Sequence, residues 1–165
     1  MNRKLVLGLV GLAGLAGLWY AFRPERLIVN QTVSESLPGG MVGTATAGTP
    51  APRVLLAGSF HGVAHETMGS ARVVALEDGR KVVRLSDFHT SNGPDVQVYL
   101  VAAPDANDND TVTKAGFLPL GALKGNIGDQ NYELPADVDL DTYRSVTVWC
   151  RRFGVNFGTA PLLPA

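Results

Sequence analysis

Three hydrophobic textures follow one another along the chain. Leu5 to Phe22 (LVLGLVGLAGLAGLWYAF) runs for about eighteen residues without a charge, roughly 27 Å as a helix, which is close to the thickness of a hydrocarbon core. From residue 23 to Pro52 the pattern dissolves. Pro38 to Pro52 (PGGMVGTATAGTPAP) is small, uncharged and broken by Gly and Pro, the composition of a flexible spacer. Beyond it come short β-branched runs bounded by turn residues: Arg53–Phe60, Ala71–Leu76, Lys81–Phe88, Asp95–Ala102, Tyr143–Cys150 and Phe153–Leu162. Asp78-Gly79 between two of them is a hairpin turn, and Asn92-Gly93-Pro94 is a turn entering another. No long stretch of this region has a helical period.

The alternation predicts which side chains share a face. Val96, Val98 and Leu100 fall on one face of their strand. Val146, Val148 and Cys150 fall on one face of theirs, with Thr147 and Trp149 on the other. The expected fold is all-β, an antiparallel β-sandwich or small barrel, preceded by one N-terminal transmembrane helix. The expected divisions are a basic N-terminus (1–4), a transmembrane anchor (5–22), a flexible linker (23–52) and a β domain (53–165). A signal peptide is the competing reading of 5–22, although no A-x-A-like cleavage site precedes Arg23. Arg3, Lys4 and the amino terminus favour N-terminus inside, with the domain on the extracytoplasmic side. Gly8, Gly11, Gly14 and Gly17 repeat every third residue, so they do not make a GxxxG dimer face.

Composition narrows the chemistry. The formal net charge is -1 and the basic residues are scattered, which gives no basis for nucleic-acid binding. There is no GxSxG elbow, phosphate-binding glycine loop or HExxH, so a stand-alone enzyme is not expected. Asn30-Gln31-Thr32 and Asn109-Asp110-Thr111 fit the glycosylation sequon. Asp105–Asp110 (DANDND) begins like a calcium loop. Asp110 then stands where the template needs Gly, and Gly116 where it needs Glu, so the segment reads as a polar hairpin loop. His61 and His65 have the spacing of a helical metal pair but occur where a strand ends. They and His89 are expected as solvated loop side chains, and no metal site is assigned.

The one cysteine, Cys150, carries the chemical interest. An intramolecular disulfide is excluded. On the inward face of a strand, a free cysteine is an ordinary small hydrophobe. In an exported domain, however, an unpaired thiol must be hidden, ligated or meant to react. Arg152, two residues on, would share its strand face, and at a sheet edge its charge would favour the thiolate. Both readings of Cys150 stand on the residues alone.

A series of motifs then matches a known family. Gly58–Phe60 (GSF), Leu85–Phe88 (LSDF), Asn92–Leu100 (NGPDVQVYL), Leu120–Pro135 (LGALKGNIGDQNYELP) and Val138–Leu162 (VDLDTYRSVTVWCRRFGVNFGTAPL) closely resemble the DM-thirteen, or electron transfer DM-thirteen, domain family over about residues 53 to 163. The resemblance implies a small all-β domain found alone or beside redox modules. It also implies that Cys150, in the Trp-Cys pair, is the family's hallmark cysteine, proposed to transfer electrons as a bare thiol or as a ligand to a prosthetic group such as haem. Taken together, the expectation is a membrane-tethered extracytoplasmic domain with a redox accessory role through Cys150, modulated by Arg152 and meeting a redox partner protein. The alternative is a non-catalytic cell-surface binding or structural module in which Cys150 is core. With no second cysteine, any cycle through Cys150 needs another molecule.

Overall fold

The computed structural model describes residues 3–22, 29–38 and 51–165. Helix α1 (Arg3–Phe22) comes first, followed by β1 (Thr32–Ser34), β2 (Arg53–Ser59), β3 (His61–Gly62), β4 (Thr67–Ala75), β5 (Lys81–Thr90) and β6 (Val96–Val101). Helix α2 (Asn109–Ala115) then precedes β7 (Phe117–Ala122), β8 (Ile127–Glu133), β9 (Ser145–Cys150), β10 (Val155–Pro161) and β11 (Leu163–Pro164). The strands form two sheets, in the orders β1-β8-β5-β4-β2-β11 and β3-β10-β9-β6-β7. Every neighbouring pair is antiparallel except β1 and β8. The architecture is the expected all-β sandwich.

The predicted faces explain the packing. Ala71, Val73, Val83, Leu85 and Tyr132 of the first sheet meet Val98, Leu100, Val146, Val148 and Cys150 of the second in the main core. Asp78 and Gly79 turn β4 into β5, with the Asp78 carboxylate accepting from the Arg80 amide at 3.0 Å. β9 is buried at all six positions because its second face is covered as well. There Tyr99, Val101 and Trp149 pack with Ala103, Ala106 and Val112 of the α2 region.

Four expectations need correction. Asp105–Asp110 is not a hairpin loop: it leads into α2, and the Asp108 side chain caps that helix by accepting from the Thr111 amide at 2.6 Å. No long stretch of the domain is helical, as expected, but the short α2 escapes the pattern because seven residues are too few to show a helical period. β7 and β8 were not foreseen as strands. Pro119 and the glycines of this stretch obscure the alternation, and Pro119 is tolerated because β7 is an edge strand. The stretch read as linker, 23–52, contains a structural element: β1 pairs with β8, and Leu37 packs on Val74, Leu76 and Val82 outside the sandwich. The rest of that stretch, 23–28 and 39–50, lies outside the described residues.

The fourth concerns the anchor. α1 is helical over the predicted stretch, but among the described residues no helix is long and apolar enough to cross a membrane. The side chains described in α1 are those of 8–15, 17 and 19–20. The transmembrane helix is therefore not established by the structure. Those of Leu9, Val10, Leu12, Leu15, Trp19 and Tyr20 are exposed.

Candidate functional site

Cys150 is the last residue of β9, paired with Val155 on β10 and Val96 on β6. It is 1% exposed. The chain then turns through residues 151–154 into β10. The Arg151 amide donates to the Asp95 carbonyl at 2.9 Å, and its guanidinium pairs with the Asp95 carboxylate at 2.9 Å. That hydrogen bond and charge hold the Arg151 guanidinium above its ordinary pKa. Arg152 sits in this turn and is exposed. Strand alternation therefore does not carry it onto the face of Cys150, and the sequence argument for its effect on the thiol loses its geometric basis.

One wall of Cys150 borders a pocket of about 180 Å³, lined also by His65, Phe153, Val155, Phe157 and the Asn92–Pro94 turn. The turn approaches closely because residue 93 is glycine. A Cβ there would stand 2.6 Å from Val96 Cγ2 and 3.0 Å from the Phe157 ring. The His65 ring packs on Phe157, centroids 4.0 Å apart, and the His65 amide donates to the Phe157 carbonyl at 3.1 Å. Phe153 is 67% exposed at the turn. The site is thus a small, mostly apolar recess lined in part by the nearly buried Cys150, with one imidazole in its wall.

The histidines separate. His61 is in β3, not a loop, and its Nε2 bonds the Asp105 carboxylate at 3.0 Å. His89 lies on β5 with its side chain exposed. Only His65 reaches the Cys150 pocket. Sequence reasoning set it aside, since nothing local marks a residue brought to Cys150 by β10. Among the described residues, no group of three or more His, Cys, Asp or Glu side chains is placed to hold a metal ion. Both sequon asparagines are engaged: Asn30 Oδ1 accepts from Asn92 and Asn126, and Asn109 Oδ1 accepts from the Asn156 amide.

The family model described as electron transfer DM13 matches residues 59–162, a span that holds both sheets' central strands, the pocket and Cys150. The chain belongs to the electron transfer DM13 family. No curated protein and no solved structure matches the chain. A haem does not fit the DM13 pocket as built. Small-molecule sites run to roughly 300–1,000 Å³, whereas this recess holds about 180 Å³. A recess of this size has room for a side chain or a small compound rather than a macrocycle.

Proposed function

We propose that this DM13 chain is a membrane-tethered, extracytoplasmic redox accessory module in which Cys150 exchanges disulfides with a partner. The observation that carries the reading is that the chain's one cysteine borders a recess instead of being enclosed by core on every side. The chemistry balances with an external partner of the disulfide class. The Cys150 thiol loses its proton to solvent and attacks the partner's disulfide. A Cys150–partner S–S bond forms, the partner's own S–S bond breaks, and the leaving thiolate takes up a proton. A second thiol then attacks the mixed disulfide, carries the S–S bond away and returns Cys150 as a thiol. Tethering is supported by α1, whose exposed Leu9, Val10, Leu12, Leu15, Trp19 and Tyr20 are side chains a bilayer would cover. Arg152, exposed beside the pocket-lining Phe153, is retained only as a modulator of how a charged partner approaches.

The test is native thiol labelling with reagents of increasing size. A small methanethiosulfonate should modify Cys150 on the folded chain, and a bulky maleimide should do so far more slowly. A thiol silent to both until denaturant is added would overturn the reading. The 1% exposure of Cys150 favours the second reading, a non-catalytic surface or structural module. In that case Cys150→Ser changes stability alone.

A further inference from the structure

The residues around β8 form a groove shaped for a strand. Gly125 and Gly128 make room for it. A Cβ at Gly125 would lie 2.5 Å from the Gln31 carbonyl oxygen, and one at Gly128 would lie 2.1 Å from that of Val33. The backbone pairs in parallel, Thr32 with Ile127, Val33 with Gly128 and Ser34 with Asp129. Polar groups then read one carboxylate. Lys124 Nζ donates to both Glu35 oxygens at 2.8 and 2.9 Å, and the Asn131 amide donates to Glu35 Oε2 at 2.8 Å. Arg84 donates to the Glu35 carbonyl at 3.0 Å, and Asn131 Nδ2 to the Ser36 carbonyl at 2.9 Å. At the other end, Asn126 Oδ1 accepts from the Gln31 amide at 2.7 Å.

The groove is held from beneath. Buried Gln130 accepts from the Tyr132 hydroxyl at 2.8 Å and the Lys124 amide at 3.2 Å, and donates to the Gly125 carbonyl at 2.7 Å. None of these contacts involves a residue of β1. Lys124 to Tyr132 lies within the family-matched span 59–162, while β1 lies outside it. The module therefore contains a receptor for a strand that the module proper does not supply.

We propose that residues 124–132 are a peptide-binding site for an extended segment carrying a carboxylate at the position of Glu35, and that this chain fills it with its own residues 30–37. Recognition is β-augmentation, with main-chain pairing for affinity and Lys124 with Asn131 for specificity. The consequence for the tether is a short leash. From Phe22 to Thr32 the chain has ten peptide steps, at most roughly 35 Å fully extended, whereas the full 23–52 stretch would allow about three times that. The site lies on the first sheet, and the proposal does not depend on any chemistry at Cys150.

Hydrogen exchange on the full chain in detergent tests it. The Ile127 and Asn131 amides, which donate to Gln31 and Glu35, should be protected in the wild type. Glu35→Lys should speed their exchange at least tenfold and leave Val98 and Val146 in the second sheet unchanged. A peptide of the sequence of residues 29–38 should restore protection in that variant, and the same peptide with Lys at the Glu35 position should not. Unchanged exchange in Glu35→Lys, or equal rescue by both peptides, overturns the proposal. Should the second sheet also loosen, the charge-exchanged Glu35→Lys/Lys124→Glu chain decides. Regained protection at Ile127 supports the site, and none refutes it.

Discussion

The side chains around Cys150 show how little separates a core cysteine from a site residue. Val148 and Cys150 share a strand and a face, yet Cys150 alone borders the recess, because β9 ends there and the chain turns away at 151–154. Gly93 sets the size of that recess. Gly93→Ala drives a methyl into Val96 and Phe157, an overpacking that costs about 1–3 kcal/mol. Thermal melts should show the loss, and native labelling of Cys150 should change with it because the Asn92–Pro94 wall must move. Cys150→Ser puts a hydroxyl into an almost fully buried position. Without a compensating bond this costs about 1–3 kcal/mol, readable by denaturant unfolding.

Among the elements, β1 depends most on its partners. Three residues cannot hold themselves as a strand, so its place rests on the groove that receives it. Gly128 has φ +97°, a region L side chains avoid, and its Cβ would meet the Val33 carbonyl. Gly128→Ala should therefore expel β1 at a cost of about 2 kcal/mol or more, seen as faster amide exchange at Ile127 with β6 and β9 still protected. Protonation should have a milder effect. Burial pushes the Glu35 carboxyl up, but hydrogen bonds from Lys124 and the Asn131 amide outweigh it and hold the group below its usual 4.5. The ionised form is thus favoured by docking. Its contribution is complete above the unfolded value and fades as pH falls through the lower folded-state value. The protection factor at Ile127, taken against the intrinsic exchange rate at each pH, should fall below about pH 4.5, and Glu35→Gln should remove that dependence. α2 shows a different dependence: Asp108 caps it locally, but Val112 and the covered face of β9 give it a reason to stay.

At the scale of the whole molecule, α1 and the sandwich are joined through β1, and the Cys150 recess lies on the other sheet. Removal of residues 1–28 keeps every described contact of β1. If α1 is the tether, the shortened chain should leave the membrane fraction with its melting temperature unchanged. Retention in that fraction would place the membrane contact elsewhere.

The residues alone determined the β class, the hairpin at Asp78-Gly79, the inward set Val96, Val98, Leu100, Val146, Val148 and Cys150, and the family. These are legible because period-two alternation and turn chemistry act between neighbours in the chain. They missed α2, β7 and β8, where the runs are short or broken by Gly and Pro. Only the tertiary structure decided that His65, and not His61 or His89, faces the Cys150 recess, that Arg152 leaves the strand, and that Thr32–Ser34, within the stretch read as linker, close an edge of the first sheet. Such placements depend on strand order and on contacts between distant segments. They are won by burial and hydrogen bonding once the sheets assemble, and no local pattern in the chain encodes them.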